Sequence, residues 1–147
     1  MEAITLLRGI MAGAPATAAM LLVEIPAWKM WGLPGVMEWQ ENQGIAERVL
    51  HRPEKTLVAP GLILHFLHGW LAGIVFAIFI SITTLGLPIP LLGLAYGLLL
   101  WLLGLVIFKP IIGERIPSGL LGRIAISVNL AGHVVYGSVL GILMVLS

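Results

Sequence analysis

Charged residues divide this chain into long apolar segments. No Asp, Glu, Lys or Arg occurs from Thr56 to Phe108, and none follows Arg123. A helix of about 20 apolar residues crosses a bilayer core, so this pattern predicts four transmembrane helices. One glycine and two prolines fall close together at residues 86–90, which predicts a turn there. The spans are predicted near residues 4–26, 57–84, 90–109 and 124–147.

The composition indicates an integral membrane protein with a single domain, residues 1–147. Apolar residue types make up 59% of the chain and charged types 10%, whereas soluble domains contain about 25% charged residues. The mean hydropathy is +1.06. These values exclude a soluble domain, a disordered chain, a coiled coil and a basic nucleic-acid-binding protein. The chain has no cysteine, which excludes disulfides and thiolate metal sites. The predicted fold class is an all-α membrane protein, a four-helix bundle.

The basic residues predict an orientation. With four spans, the loops 27–56 and 109–123 lie on the same side of the membrane. Seven of the eight basic residues fall there, and only Arg8 lies nearer the other side. Basic residues are enriched in cytoplasmic loops, so we expect both loops in the cytoplasm and both termini outside. Glu24 and Lys109, at the ends of their spans, are expected to mark the membrane interface.

The loop 27–56 is the largest segment outside the predicted spans. One helical face carries the apolar residues Val36, Trp39, Ala46 and Leu50, and the charged residues Glu38, Glu41, Glu47 and Arg48 lie elsewhere. This pattern favours an amphipathic helix that lies on the cytoplasmic membrane surface. A docking surface for another subunit is the alternative.

The spans also suggest an internal duplication. His65 aligns with His133 at an offset of 68 residues, and Gly9 aligns with Gly93 at an offset of 84. We therefore predict two tandem helical hairpins, repeat 1 at about 4–84 and repeat 2 at about 90–147, in the same orientation. Every span carries one G-x-x-x-G motif, a spacing that lets membrane helices approach closely. The predicted packing residues are Gly9, Gly13, Gly69, Gly73, Gly93, Gly97, Gly137 and Gly141.

The last span contains His133, Tyr136, Gly137 and Gly141 in the order His-x-x-Tyr-Gly-x-x-x-Gly. In this motif and in its four spans the chain resembles an uncharacterised family of small prokaryotic four-helix inner-membrane proteins. The resemblance implies a location in the prokaryotic inner (cytoplasmic) membrane. It carries no known biochemical activity.

Histidines are the main candidates for chemistry inside the membrane. His65 and His133 each follow a basic residue by 10 positions, about 15 Å of helix rise, which places both near mid-membrane. Each shares a helical face with its glycine pair, and His68 lies on nearly the same face as His65. Ionisable residues at this depth are functional candidates. Three interpretations stay open: structural hydrogen bonds, ligation of a tetrapyrrole (haem b or chlorophyll), and a bare metal or proton path. No metal site is assigned, because zinc needs three or four ligands.

No catalytic set of residues is present in the sequence, so we expect a protein that is not an enzyme. The primary hypothesis is an accessory or structural subunit of a larger respiratory or photosynthetic membrane complex. The alternative is a tetrapyrrole-binding protein that uses His65, His133 and His68. A transporter of a small solute or ion is a second alternative, disfavoured because Glu24 is the only acidic candidate within a span. Expected partners are membrane lipids and other membrane subunits or further copies of the chain, with no nucleic acid.

Overall fold

The computed structural model is all-helical and describes residues 3–32, 38–111 and 118–146. Four of its helices are long and apolar enough to cross a membrane, which confirms the predicted all-helical architecture with four spans. The principal helices are α1 (Ala3–Trp31), α2 (Glu38–Leu50), α3 (Val58–Ile82), α4 (Ile89–Leu103) and α6 (Gly119–Leu146), and a short turn, α5 (Lys109–Ile111), follows α4.

Two helices extend beyond their predicted ends. Helix α1 continues through Pro26 to Trp31, although an interior proline removes one backbone hydrogen bond and its ring crowds the carbonyl four residues earlier. Helix α6 begins at Gly119, so Arg123 lies inside its first turns. A basic residue is a good helix former, and it marks a change of polarity along α6 without ending the helix.

Helix α4 changes its winding before Pro110. Residues Gly104–Phe108 form a π-helical turn, in which the Lys109 N–H donates to the carbonyl of Gly104. Pro110 has no N–H, and its ring crowds the carbonyl four residues earlier. The wider π turn accommodates this crowding, and such turns are frequent at functional sites.

The helices pack as two pairs joined along one side. Helix α1 packs against α3 and α6, α4 packs against α6, and α2 packs against α3, whereas α3 and α4 meet at few positions. The apolar core contains Ala16, Met20, Phe76, Tyr136 and Leu140. We call the end of the bundle that carries α2 the α2 end. The opposite end, where residues 83–88 join α3 to α4, is the hairpin end.

Glycines bring α1 and α3 into backbone contact towards the hairpin end. A Cβ atom at Gly9 would lie 2.6 Å from the Cα atom of Ile74, and one at Gly13 would lie 2.6 Å from the carbonyl oxygen of Gly69. A Cβ atom at Gly73 would meet the carbonyl oxygen of Gly9. Side chains at these positions would push the two helices apart.

The same arrangement recurs between α4 and α6. A Cβ atom at Gly93 would lie 2.5 Å from the carbonyl oxygen of Gly137, and one at Gly141 would lie 2.8 Å from the Cα atom of Pro90. A Cβ atom at Gly97 would meet the carbonyl oxygen of His133. The two helix pairs therefore share one mode of contact.

Helix α2 differs from its predicted arrangement. Its polar residues Glu41, Asn42 and Gln43 are buried together with Ala46, whereas Leu50 is 49% exposed. Of the residues expected on the apolar face, Ala46 and Trp39 pack against the bundle, Leu50 does not, and Val36 lies outside the described residues. The reason lies in what α2 contacts: it packs against α3 and meets the polar groups at one end of the bundle, where buried polar atoms find hydrogen-bond partners.

Gly61 of α3 makes this packing of α2 close. A Cβ atom at Gly61 would lie 2.8 Å from the carbonyl oxygen of Trp39 and 2.5 Å from the Cγ atom of Gln43. The missing side chain therefore lets the backbone of α2 approach α3. Gly61 is outside the G-x-x-x-G pairs, and its role was not predicted from the sequence.

Candidate functional site

A cavity of about 480 Å³ lies between the glycine contacts and α2, and it opens to the outside of the bundle beside Leu103, Ile107 and Phe108, which are exposed. Ligand sites typically have volumes of about 300–1,000 Å³. All five principal helices contribute to its wall. The lining residues are Thr17, Met20, Glu38, Asn42, His65, His68, Gly69, Ala72, Leu100, Leu103, Gly104, Ile107, Phe108, His133 and Tyr136.

The cavity lies where α3 and α4 diverge. On the hairpin side, the Tyr96 hydroxyl donates to the carbonyl of Ala72 at 3.0 Å, and its ring lies 5.2 Å from that of Phe76. On the α2 side, the ring of Phe108 stands edge-on to His68 at 6.3 Å. Large side chains therefore bridge the two helices above and below the cavity, while the backbones stay apart.

His65 is buried beside this cavity with an unsatisfied nitrogen. The residue is 4% exposed, and its Nε2 atom has no hydrogen-bond partner among the described residues. An unpaired buried polar group costs about 1–3 kcal/mol. Native proteins rarely leave such atoms unpaired, and Nε2 of His65 is one of three buried side-chain atoms without a partner among the described residues, together with Oε2 of Glu24 and Nε1 of Trp101.

His133 lies across the same cavity and is held by its own helix. Its Nδ1 atom is 3.0 Å from the backbone carbonyl oxygen of Asn129. A carbonyl oxygen only accepts hydrogen bonds, so Nδ1 carries the hydrogen and the Nε2 atom of a neutral ring is an acceptor. That Nε2 atom lies 3.9 Å from Oε1 of Glu38.

Glu38 connects α2 to two spanning helices. Its Oε1 atom accepts a hydrogen bond of 2.5 Å from Nδ2 of Asn129. Its backbone N–H, at the start of α2, donates to Oε1 of Glu24 at 3.3 Å. Asn42 caps this arrangement by donating from Nδ2 to the Glu38 carbonyl at 2.9 Å. These contacts fix the Glu38 carboxylate at the wall of the cavity.

Two residues expected at the membrane interface are buried instead. Glu24 is fully enclosed, and its Oε2 atom has no hydrogen-bond partner among the described residues. Lys109 is 6% exposed and forms an ion pair with Glu41 of α2. The physical reason is the position of α2, which covers the end of the bundle and removes both side chains from the aqueous boundary.

Two hydroxyl groups at the cavity wall donate hydrogen bonds to backbone carbonyls. The Tyr136 hydroxyl donates to the carbonyl of Gly69 at 2.8 Å, and the Thr17 hydroxyl donates to the carbonyl of Gly13 at 2.8 Å. Among the described residues, no group of three or more His, Asp or Glu side chains is arranged to hold a metal ion. His51 lies outside this site and is exposed.

The structure thus brings His65, His68 and His133 together at one cavity and adds Glu38 and Asn42, which the sequence analysis did not assign to the site. The available signal was the polarity of α2, where Glu38, Glu41 and Asn42 share a helical face at spacings of three and four. The predicted packing glycines lie mostly beyond the cavity, and only Gly69 reaches its wall.

Comparison with known families matches residues 4–146 to one family model. The chain belongs to the DUF6789 family, a family of unknown function. The DUF6789 match includes every helix that contributes to the cavity. No curated protein and no solved structure matches the chain.

Proposed function

We propose that this protein binds an amphipathic small molecule, taken from the membrane, in the cavity between α3 and α4, without catalysing a reaction. The observation that carries the proposal is the cavity itself, a space of about 480 Å³ with largely apolar walls at which His65, His133 and Glu38 come together. Leu100, Leu103 and Ile107 provide apolar wall on α4, while Glu38 and the histidines provide polar groups. Apolar walls with a few convergent polar groups are typical of small-molecule sites.

A matched pair of leucine variants tests this proposal. Leu103 lines the cavity, whereas its neighbour Leu102 does not line it and is 48% exposed. Leu103→Trp should fill the cavity, and Leu102→Trp should place the same indole among lipids. Native mass spectrometry of protein extracted in mild detergent should find a bound amphiphile on wild type and Leu102→Trp, and none on Leu103→Trp. Equal retention by both variants would overturn the proposal.

Tetrapyrrole binding stays an alternative prediction. A macrocycle coordinated by both His65 and His133 fits the present geometry poorly, because Nε2 of His133 faces Glu38 at 3.9 Å. His65 alone, or His68, would be the ligand that fits without moving Glu38. A visible absorption spectrum of the purified protein tests this alternative, since haem b or chlorophyll would give strong bands that His65→Ala removes.

The accessory-subunit hypothesis and the transporter hypothesis also stay predictions. Native electrophoresis of solubilised membranes tests the first, because a subunit would migrate with a larger complex. The transporter hypothesis gains support from Glu38 and Glu41. These two carboxylates add to Glu24, the one acidic residue that the sequence placed within a span. Binding in the cavity is a step that transport would also require.

We further propose that the α2 end faces the cytoplasm of a prokaryotic cell, and that the chain consists of two tandem hairpins. The distribution of basic residues supports the orientation. The recurring glycine contacts of the α1–α3 and α4–α6 pairs support the duplication.

A further inference from the structure

We infer that the ligand of this cavity is a lipophilic amine in its protonated form, whose ammonium group binds Glu38 and whose apolar chain lies against α4. This inference rests on the proposed function and names the chemical class of the molecule that the site accepts.

The first reason to expect an amine is the charge of the cavity wall. Among the described residues that line the cavity, Glu38 is the only Asp, Glu, Lys or Arg. The Glu38 side chain is 24% exposed. Lys109 directly follows the wall residue Phe108 in the sequence. Its side chain pairs with Glu41 and does not line the cavity. The titratable group beside it is His133, whose Nε2 atom lies 3.9 Å from Oε1 of Glu38 and carries no charge when the ring is neutral. A carboxylate next to a neutral imidazole has no full cationic partner, so the wall favours a ligand that carries positive charge.

The second reason is the set of hydrogen-bond donors and acceptors around the Glu38 carboxylate. Asn129 donates one hydrogen bond to Oε1 of Glu38, and an amide leaves the negative charge in place. In a neutral His133 ring, Nε2 is an acceptor because Nδ1 carries the hydrogen. An ammonium group has several N–H donors, which suits a carboxylate with an imidazole acceptor 3.9 Å away.

The third reason is the aromatic and aliphatic part of the cavity wall. Phe108 and Tyr136 place aromatic rings at the cavity, and cations bind favourably over aromatic faces. Leu100 and Leu103 lie on α4, and Ile107 lies in the π-helical turn that follows it. The wall therefore combines a negatively charged polar end with an apolar side that accepts an alkyl chain.

Three probes with the same alkyl chain test the inference: dodecylamine, dodecan-1-ol and dodecanoate. Binding is measured at neutral pH by equilibrium dialysis against protein in lipid nanodiscs, with the cavity-filled Leu103→Trp variant as background for partition into lipid. We expect wild type to bind dodecylamine at least about tenfold more tightly than either other probe, a ratio that corresponds to about 1.4 kcal/mol.

Glu38→Gln should abolish this preference, because glutamine keeps an acceptor for Asn129 and lacks the charge. Glu47→Gln is the matched control, since Glu47 lies on the same helix, is exposed and does not line the cavity. It should bind all three probes as wild type does.

Two results separate the inference from the function on which it rests. Equal binding of the three probes by wild type, or a preference for the alcohol or the carboxylate, would overturn the amine and leave small-molecule binding in place. A dodecylamine preference that persists in Glu38→Gln would overturn the role of Glu38. Binding of all three probes no stronger than to Leu103→Trp would overturn the proposed function itself.

Discussion

Glu24 shows how a single side chain in this protein depends on groups far away in sequence. It lies in α1, yet its Oε1 atom accepts the backbone N–H of Glu38 in α2. A Cβ atom at Gly132 of α6 would lie 3.4 Å from that same oxygen. Three helices therefore enclose one carboxyl group, and no described residue supplies a partner for its second oxygen.

Glu24→Gln should leave the free energy of unfolding equal to or above that of wild type, because the amide oxygen still accepts the Glu38 N–H and no buried charge is needed. Glu24→Ala should lower it by about 2 kcal/mol, through the unpaired N–H and the void left behind. Unfolding in a denaturing detergent measures both. A Glu24→Gln variant as unstable as Glu24→Ala would show that the negative charge itself holds the helices together.

Glycine positions differ in what surrounds them, and the difference gives a second prediction. Gly137→Ala should lower the free energy of unfolding by about 1–3 kcal/mol, because its Cβ atom would meet the backbone of α4. Gly104→Ala should be neutral or stabilising, because no atom lies within 4 Å of its Cβ position and alanine is the better helix former. Thermal denaturation in the same detergent compares the two. Equal losses in both variants would contradict the packing role of Gly137.

At the scale of single elements, α2 departs most from what its sequence suggested. The four spans were predictable because long uncharged segments have few alternatives in a bilayer. The environment of α2 was not predictable in the same way, since Glu41, Asn42 and Gln43 in a loop are ordinarily solvated. Their burial depends on α3 and Lys109, which are distant in sequence. The same holds for Glu38, whereas His65 and His133 could be proposed from the sequence because ionisable residues within membrane spans are rare.

The ion pair between Glu41 and Lys109 should stabilise the position of α2. Both side chains are at least nine-tenths buried, and the loss of one member leaves a buried charge without its partner. Glu41→Gln or Lys109→Met should each lower the free energy of unfolding by about 3 kcal/mol. Trypsin should then cleave faster at Arg48, within α2.

The double variant tests whether the two residues act together. The combined change of Glu41→Gln and Lys109→Met should cost clearly less than the sum of the single changes, because neither charge is left behind. Glu47→Gln, exposed on the same helix, should change neither stability nor cleavage. Strictly additive losses would contradict coupling between Glu41 and Lys109.

On the scale of the whole molecule, corresponding pairs of helices in the two proposed repeats do not pack equally. Helices α1 and α6 pack along each other, whereas α3 and α4, their counterparts under the proposed duplication, hardly touch. The cavity lies in that gap. A sequence repeat predicts equal contacts, and the polar residues of α2, which has no counterpart in the second repeat, lie where that equality is lost.

Cysteine labelling tests the proposed orientation of the whole molecule. Lys55 and Leu85 are exposed at opposite ends of the bundle, and the chain has no native cysteine. In intact cells, a membrane-impermeant maleimide should label Leu85→Cys and spare Lys55→Cys until the membrane is opened. Labelling of Lys55→Cys from outside would reverse the orientation.

Because of the π-helical turn at Gly104–Phe108, the direction in which the Lys109 side chain points depends on the number of residues in that turn. Such a turn holds one residue more than an α-helical turn, so later residues are rotated by about 100° relative to an uninterrupted helix. Loss of a single codon within this turn would keep Glu41 and Lys109 as they are and still swing the ammonium group away from α2. The ion pair is therefore specified by the number of residues before Lys109 as much as by the identity of its two members.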